Sequence, residues 1–305
     1  MQNTPNLLMI KPINFGFNQE TAVNNAFQIA GHSDMSQKNA AKEFDNFVEK
    51  LESYRINITV VEDTPEPYTP DSIFPNNWIS FHKGNKICLY PMFAENRRKE
   101  RKPNVIEAIK QKFKIEETID FTKFEKDNKF LEGTGSMVLD RENNIAYACL
   151  SPRTHKEVFN EFCSITNFKG ISFASLDDKN KEIYHTNVMM CVADKYAVIC
   201  LDTIKDIKER QIVANTLRES GKEIIEIDTK QMNNFAGNML QVKNKEGVQF
   251  LVMSSTAFRS LTQEQISRIR CYNDIIYSEL DTIEKNGGGS ARCMLAEIFL
   301  DKIEK

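Results

Sequence analysis

The sequence has no long apolar run, no excess of charge of one sign and few residues that break secondary structure. Its 305 residues include only 12 glycines and 9 prolines, with 41% hydrophobic and 27% charged residues. This composition excludes collagen-like, low-complexity and disordered chains and is typical of a protein that buries a core. Forty basic against 43 acidic residues give a net charge of −3. The basic excess of a nucleic-acid or anionic-membrane binder is therefore missing, and we expect neither partner.

The seven cysteines have no C-x-x-C spacing, and their odd number does not suit a complete disulfide framework. We therefore expect reduced thiols in a cytoplasmic protein. The apolar stretch Leu7 to Ile10 is too short for a signal peptide, and no segment approaches the roughly 18 apolar residues of a membrane span. No metal-ligand spacing is present, so we expect no metal.

One local pattern recurs five times along the chain. It consists of an amphipathic stretch, an apolar run, a small-polar cluster, and two apolar runs joined by a polar turn. Equivalent positions in the clusters are separated by 55, 55, 51 and 55 residues, and they are Asn77, Glu132, Asn187, Asn238 and Cys293. Units of this length that each expose an apolar face favour a propeller over two independent domains.

The repeat predicts an α/β fold, a closed five-bladed propeller formed by residues 1–305 as one domain. The predicted helices are 39–54, 104–113, 154–162, 207–219 and 262–270, each followed by a strand and, in four units, by a hairpin. The fifth unit has no hairpin. There we expect a final helix from Cys293 to Ile303, with Leu7 to Lys11 supplying the missing strand. Closure of the ring would bring all five clusters to one axis.

Cys293 follows the run Asn286-Gly287-Gly288-Gly289-Ser290-Ala291-Arg292 and would lie in the first turn of the final helix. Unpaired backbone N–H groups and the helix dipole at such a place favour a thiolate nucleophile. The other six cysteines lie in apolar runs or on helix faces, where a thiol acts as a small hydrophobic group. Cys293 is therefore the candidate nucleophile.

His185 and Glu132 occupy clusters of the same kind in the third and second units. A thiol nucleophile needs a group that protonates the leaving amine and then activates water, and an imidazole can do both. Glu132 adds a carboxylate between residues small enough to admit a ligand, although an exposed turn glutamate is an equally good interpretation. The remaining histidines, His32, His82 and His155, are expected at the surface.

Taken together, these motifs resemble those of the guanidino-group-modifying enzymes, or penteins. This superfamily includes arginine deiminase, dimethylarginine dimethylaminohydrolase and amidinotransferases. The resemblance implies a five-fold α/β propeller without a cofactor, in which Cys293 is the nucleophile, His185 the general acid and base, and Glu132 the carboxylate that holds the substrate's terminal nitrogens. It covers nearly the whole chain and rests on Phe-Pro-Asn-Asn (74–77), Leu-Glu-Gly (131–133), His-x-Asn (185–187), and Gly-Gly-Gly followed by Arg-Cys-Met (287–294).

Further substrate contacts are implied by the same resemblance. Asp71 occupies a motif position that contacts substrate in relatives, and Arg97 resembles an arginine that holds the carboxylate of the substrate. A solvated charge run is an equally good interpretation for the basic residues that follow Arg97. Phe74 either packs on the planar head of the substrate or fills the core. Asn238 shares the radial position of the other markers, and no step is assigned to it.

Asn77 and Asn187 stand where guanidinium-processing members carry aspartates. A guanidinium is a cation with only hydrogen-bond donors, whereas a neutral ureido group also presents an acceptor that an amide can match. The two asparagines therefore favour citrulline as the small-molecule partner, as in citrulline utilisation hydrolases (citrulline ureidases). In this interpretation Cys293 attacks the ureido carbon, His185 protonates the departing ammonia, and water then releases ornithine and carbon dioxide.

Two alternatives stay open. An arginine deiminase or dimethylarginine hydrolase would keep the fold and act on a guanidino group. A non-catalytic binding protein would also keep the propeller, as a ribosome-associated translation initiation factor does, without needing the cysteine, the histidine and the glutamate together. The sequence leaves a homo-oligomer open as well.

Overall fold

The computed structural model describes residues 1–25, 27–30 and 33–303, and within them the chain forms fifteen strands in five three-stranded sheets. The strands are β1 (Asn6–Lys11), β2 (Asn57–Glu62), β3 (Ile79–His82), β4 (Lys86–Leu89), β5 (Glu117–Asp120), β6 (Val138–Asp140), β7 (Ile145–Leu150), β8 (Lys169–Ala174), β9 (Met190–Val192), β10 (Tyr196–Ile199), β11 (Glu223–Glu226), β12 (Leu240–Lys243), β13 (Gln249–Ser254), β14 (Asp274–Ser278) and β15 (Ala296–Glu297).

All five sheets share one topology. In the sheet β3–β4–β5, β3 runs antiparallel to β4, and β5 runs parallel to it. The sheets β15–β1–β2, β6–β7–β8, β9–β10–β11 and β12–β13–β14 repeat these directions. An antiparallel pair can be joined by a tight turn, whereas a parallel pair needs a longer crossover, and helical segments form each crossover here. The five-fold repeat of the sequence thus corresponds to five equivalent sheets.

The α-helices of the described residues are either crossover helices or single turns. They are α1 (Gln19–Ala22), α2 (Ser33–Ser53), α3 (Glu95–Arg98), α4 (Pro103–Lys110), α5 (Gly133–Ser136), α6 (Lys156–Thr166), α7 (Thr186–Met189), α8 (Ile207–Glu219), α9 (Thr229–Met232), α10 (Ser255–Ser260) and α11 (Gln263–Arg270). Shorter 3₁₀ segments are Pro75–Asn77, Thr122–Asp127, Leu201–Thr203 and Ala291–Met294, and Ile283–Gly287 is a π-helix. No helix in these ranges combines the length and the hydrophobicity needed to cross a bilayer.

The crossover helices pack one apolar stripe against their sheets. In α2, the side chains of Phe44, Phe47 and Leu51 are fully buried at three- and four-residue spacing. Burial of each such side chain contributes about 1.5–3 kcal/mol to folding. The predicted helices and the strands after them agree with the structure to within a few residues, except that α2 begins earlier than predicted, and helix 207–219 has the predicted bounds.

The amino-terminal strand completes the fifth sheet, as predicted. β1 lies between β15 and β2, with Leu8 opposite both Ala296 and Thr59. The two ends of the chain are thereby joined in one sheet.

The final helix predicted from Cys293 to Ile303 is wrong. Cys293 lies in the single 3₁₀ turn Ala291–Met294, and the chain continues as the short strand β15. The physical reason is the spacing of the apolar residues. Ala296, Ile298 and Leu300 are buried and alternate with two less buried residues, a period of two that a strand can bury and a helix cannot.

The expected surface position of His82 is also wrong. Its side chain is buried at the end of β3, and its Nε2 lies 2.7 Å from the hydroxyl of Ser80. His155 is half-buried and caps the start of α6, where it accepts a hydrogen bond from the backbone N–H of Glu157. His32 lies outside the described residues.

Candidate active site

The small-polar clusters converge although they are about 55 residues apart in sequence. The turn Pro75–Asn77 contacts both α5 and the turn Ala291–Met294, and α5 also contacts α7. Three of these turns lie directly before the first strand of a sheet, so that each repeat delivers its polar residues to the same end of the strands. The convergence predicted from the repeat is therefore confirmed for these four clusters, and the fifth joins them through Asn238.

Cys293 is buried and is held by two amide side chains from other repeats. Its Sγ accepts hydrogen bonds from Nδ2 of Asn187 at 3.4 Å and from Nδ2 of Asn238 at 3.2 Å. Oδ1 of Asn238 in turn accepts from the backbone N–H of Arg292 at 3.0 Å, which fixes the orientation of the amide. Because N–H donors stabilise negative charge, the two amides can stabilise the charge that develops on the sulfur during attack, although the predicted helix is absent from the described residues here.

The glycine run before Cys293 makes room for an aromatic ring. A Cβ placed on Gly289 would lie 2.8 Å from two ring carbons of Phe74 and 3.3 Å from Cβ of Cys293. Phe74 itself is 3% exposed, and it belongs to the same apolar cluster as Cys293. The glycine run therefore brings a flat ring close to the sulfur.

His185 and Glu132 form a buried hydrogen-bonded pair. Nε2 of His185 lies 2.8 Å from Oε2 of Glu132, whose Oε1 accepts from the backbone N–H of Phe93 at 3.0 Å. Burial opposes the charge on Glu132, but Arg153, the hydrogen bond from His185, and Arg97 hold the pKa of this carboxyl below its usual range. Glu132 is thus a buried carboxylate that orients the imidazole.

The imidazole of His185 is neutral at pH 7. Burial lowers its pKa to about 4, and the guanidinium groups of Arg153 and Arg97 act in the same direction, while Glu132 opposes them. Space for the ring depends on a glycine, because a Cβ on Gly135 would lie 2.8 Å from Nδ1 of His185 and 2.4 Å from Nδ2 of Asn77. A neutral, fixed imidazole can accept a proton from a thiol.

Arg97 lies in the cluster, but its donors are already engaged. Its Nε and Nη2 donate to both oxygens of Glu100 at 2.8 and 2.9 Å, and its Nη1 donates to Oδ1 of Asn77 at 2.8 Å. One N–H of Nδ2 of Asn77 donates to Oδ1 of Asn76 at 3.1 Å. The acceptor oxygen of Asn77 is thus occupied by Arg97 and is not free to accept from a ligand.

Two buried acceptor atoms at the site have no hydrogen-bond partner among the described residues, Oδ1 of Asp71 and Oδ1 of Asn187. The other carboxylate oxygen of Asp71 accepts from Asn18 at 2.8 Å and from Thr21 at 3.2 Å. Burial raises the pKa of Asp71, and Arg97 opposes this rise. A buried acceptor without a partner is unfavourable, and a bound ligand can supply a hydrogen-bond donor to each of these two oxygens.

The buried charges of the cluster do not cancel. Three carboxyl groups, those of Asp71, Glu100 and Glu132, lie around the guanidinium groups of Arg97 and Arg153, at 2.8 to 3.9 Å in the ion pairs. Burial raises the pKa of Glu100 to about 7, and the neighbouring carboxyl groups act in the same direction against Arg97. The cluster therefore holds three carboxyl groups against two guanidinium groups, and a bound cation would favour the ionised form of the third.

Arg153 is the main residue of the site that the sequence did not reveal. Its Nη1 lies 3.5 Å from Oε2 of Glu132, its Nη2 donates to the backbone oxygen of Thr21 at 2.7 Å, and its Nε donates to Oδ1 of Asn24 at 2.8 Å. It follows an apolar strand in the run Ser-Pro-Arg-Thr (151–154), which carries no chemical marker. Only the fold brings it to Glu132.

The segment around α1 covers the site. Asn18 and Thr21 bind Asp71, Thr21 and Asn24 bind Arg153, and Nδ2 of Asn25 donates to the backbone oxygen of Gly288 at 3.3 Å. A cavity of about 570 Å³ opens beside this segment, and its wall includes Asn24 and Tyr184 but none of Cys293, His185 and Glu132.

The described residues contain no group of three or more histidine, cysteine, aspartate or glutamate side chains arranged to hold a metal ion. The arrangement instead combines a thiol, an imidazole–carboxylate pair and a buried acceptor set. Such a set can carry out nucleophilic chemistry at an electrophilic carbon that bears nitrogen substituents.

Comparison with protein families matches residues 11–300 to the family described as N,N dimethylarginine dimethylhydrolase, eukaryotic. No curated protein sequence matches the chain.

Solved structures of similar fold come from two groups of proteins. The apo structure of ArgZ, an arginine dihydrolase from the ornithine–ammonia cycle in cyanobacteria, matches with a TM-score of 0.77 and 16% identity over 98% of this chain and 41% of that one. The N-terminal domain of ArgZ bound to substrate matches with a TM-score of 0.77 and 15% identity. That match covers 97% of this chain and 98% of the ArgZ domain.

A dimethylarginine hydrolase (DDAH) from Pseudomonas aeruginosa, complexed with citrulline, matches with a TM-score of 0.65 and 14% identity. The match covers 97% of this chain and all of that one. The present chain thus spans about two fifths of the longer ArgZ chain. At sequence identities of 14% to 16%, the likeness establishes the fold alone.

Proposed function

Because the chain belongs to the N,N-dimethylarginine dimethylhydrolase family, we propose that it hydrolyses a carbon–nitrogen bond in the guanidino group of arginine or of an N-methylated arginine. The observation that carries this proposal is the pair of buried acceptors without partners, on Asp71 and Asn187, beside a cluster with one carboxyl group in excess. A guanidinium is a cation that only donates hydrogen bonds, so it complements both features.

This proposal replaces the preference for citrulline that the sequence suggested. That preference assumed two amides free to match a ureido group. Asn77 is instead bonded to Arg97 and Asn76, and the amide nitrogen of Asn187 donates to the sulfur of Cys293. The side-chain oxygen of Asn187 is buried without a partner among the described residues, and it suits a donor on the substrate.

In the proposed reaction, His185 takes the proton of the Cys293 thiol, and the sulfur attacks the central carbon of the guanidino group. The carbon–sulfur bond forms, the bond to the departing amine breaks, and His185 returns its proton to that amine. The result is a thiouronium bound to the enzyme. Water then gives a proton to His185 and attacks the same carbon, the carbon–sulfur bond breaks, and the proton on His185 returns to the sulfur. The protonated ureido group of the product loses its remaining proton to solvent, which leaves neutral citrulline.

Each neighbouring residue has a part in these steps. Glu132 holds Nε2 of His185, so Nδ1 is the ring nitrogen left for proton exchange. Asn187 and Asn238 stabilise the charge that develops on the sulfur. Asp71 binds terminal nitrogens of the substrate, and the ring of Phe74 packs on its planar head.

Citrulline hydrolysis is the second candidate, and one observation favours it. Nδ2 of Asn76 is a buried donor with no partner among the described residues, and it suits the carbonyl oxygen of a ureido group. The non-catalytic alternative gives no reason for a thiol held by two amides beside an oriented imidazole. We further propose that the five sheets close into one ring and that residues 1–305 form a single catalytic domain.

The purified protein should be incubated in parallel with arginine, asymmetric dimethylarginine and citrulline. We expect citrulline to appear from one or both guanidino substrates, with an equal amount of ammonia or dimethylamine. Cys293→Ser should abolish this release, while Cys271→Ser, which changes the exposed cysteine, should leave it unchanged. Ornithine formed from citrulline, with no turnover of either guanidino substrate, would establish the second candidate instead.

A further inference from the structure

A second cavity lies at the opposite end of the strands from Cys293. The turn Pro75–Asn77 precedes β3, whereas His82 ends β3 and Lys83 follows it. In the same way, α5 precedes β6 and Arg141 follows it. β3 has four residues, so the two ends lie about 10 Å apart along this strand. The cavity is therefore separate from the candidate active site.

This cavity, called here the Arg141 cavity, has a volume of about 210 Å³, roughly that of seven water molecules. Its wall combines the basic side chains of Lys83, Lys86 and Arg141 and the imidazole of His82 with apolar surface that includes Phe168 and Phe299. None of the described residues that line it is an aspartate or glutamate. A small cavity with basic and aromatic walls suits an anion with an apolar body.

The charge of Arg141 is only weakly compensated. The side chain is 8% exposed, yet its closest carboxylate contact, Nε to Oε1 of Glu297, is 3.8 Å, too long for a hydrogen bond. Glu297 is also shared, because its Oε2 accepts from Nη2 of Arg292 at 3.1 Å. Burial lowers the pKa of Arg141, and Glu297 offsets this effect only in part. A buried guanidinium with unused donors is favourable only if an anion reaches it.

The other groups around Arg141 do not neutralise it. Nη1 of Arg141 lies 3.5 Å from Nδ1 of His82, and burial, with Arg141 and Lys86, keeps the pKa of His82 well below its ordinary value. Lys86 is paired with Glu117 at 2.7 Å, but no ion pair within 4.0 Å joins Lys83 to a described carboxylate. The guanidinium of Arg141 lies over the Phe299 ring, with Cζ 4.2 Å from the ring centre, a cation–π contact that leaves its charge in place.

We propose that the Arg141 cavity is a second ligand site that binds a small organic carboxylate, with the carboxylate on Arg141 and Lys83 and the apolar body against Phe168 and Phe299. Two unused donors of a guanidinium match the two oxygens of a carboxylate. The aromatic wall favours a planar or branched hydrocarbon body over a fully hydrated inorganic anion. The proposal does not depend on the reaction at Cys293.

Binding can be measured with 4-fluorobenzoate and the protein of residues 1–305, by ¹⁹F NMR line broadening. We expect a Kd below about 1 mM. Arg141→Gln should weaken binding by at least about tenfold, because it removes the charge-assisted hydrogen bonds. Lys83→Glu reverses a charge on an exposed side chain, so it leaves the core intact and should also weaken binding. The matched control is Arg259→Gln, because Arg259 is an exposed arginine that does not line the Arg141 cavity.

These outcomes distinguish binding at the Arg141 cavity from general anion binding to the protein. If Arg141→Gln does not fold, the test of the proposal rests on Lys83→Glu alone. No binding of fluorobenzoate at about 10 mM, or equal binding by the wild type and Lys83→Glu, would overturn the proposal. Inorganic phosphate is the second probe. Phosphate that binds more tightly than fluorobenzoate and displaces it would overturn the assignment to carboxylates.

Discussion

Nε2 of His185 lies 2.8 Å from Oε2 of Glu132, and the two side chains are buried together although 53 residues separate them in sequence. The pair fixes which ring nitrogen is free for proton exchange. It also places a carboxylate where burial alone would disfavour one, because Arg153 and Arg97 compensate its charge.

Replacement of Glu132 by glutamine should lower kcat by about 100-fold, because the isosteric amide keeps the shape but loses the charge that stabilises an imidazolium. KM should change less than kcat, since the imidazole acts mainly in the transition state. The matched control is Glu157→Gln on the surface, where the carboxylate pairs with Lys129 at 2.7 Å. Steady-state kinetics with the preferred substrate provide the measurement, and a Glu132→Gln variant with more than half of wild-type kcat would contradict the pairing.

The pH dependence of kcat/KM should show an acid limb set by His185. Its pKa is lowered to about 4, mainly by burial, so the ring is neutral above that pH and protonated below it. A protonated ring cannot accept the thiol proton, and kcat/KM should therefore fall as pH falls below about 4, by about tenfold per pH unit.

The rates should be measured at pH values where circular dichroism shows the fold intact. In Glu132→Gln the limb should shift to lower pH, because the group that raises the pKa of the ring has lost its charge. An acid limb centred near the ordinary histidine value would argue against a buried, neutral imidazole.

Gly135→Ala should reduce kcat/KM by about 100-fold, because a misplacement of about 1 Å at the catalytic group has this effect. The new Cβ would lie 2.8 Å from Nδ1 of His185 and 2.4 Å from Nδ2 of Asn77, so the imidazole or the amide must move. Gly16→Ala is the control, since a Cβ there would have no neighbour within 4 Å. Full activity in Gly135→Ala would mean that the imidazole of His185 can shift without loss of activity, and it would contradict this prediction.

Binding of a guanidino substrate should release protons near pH 7. The pKa of Glu100 is raised to about 7, so this carboxyl group is partly protonated in the free protein. A cation bound beside it favours the charged form and lowers its pKa, and protons are released. Citrulline, which is uncharged at the ureido end, should release fewer.

Titration calorimetry of Cys293→Ser in buffers of different ionisation enthalpy measures this release directly. Glu100→Gln should reduce it for arginine, because the group with a pKa near 7 is removed. Equal proton release on binding arginine and citrulline would remove the charge argument for a guanidino substrate.

Most of the fold could be predicted from the sequence because its information is local and repeated. Helix 207–219 has alternating apolar and charged faces, and its predicted bounds agree with the structure. The helix that the sequence predicts after Cys293 is wrong, because a short turn and a strand stand there. The period of two in Ala296, Ile298 and Leu300 becomes meaningful only once β1 is available as a partner for β15.

The site residues, too, could be predicted from the sequence only in part. Cys293, His185 and Glu132 could be identified from their residue types within a regular repeat, and the structure brings the repeats that carry them together. Arg153 could not be found, since an arginine after a strand is common on protein surfaces. The sequence also could not show that Asn77 is bonded to Arg97, and this contact reversed the inference about the substrate.

By itself, the sequence determined the five-fold repeat, the strand supplied by the amino terminus and the residue types that carry the chemistry, because periodicity and residue identity are properties of the chain. The tertiary structure alone decided which donors and acceptors are already paired. Hydrogen bonds such as those from Asn187 and Asn238 to Cys293 join residues that are distant in sequence, and their partners come together only after the chain has folded.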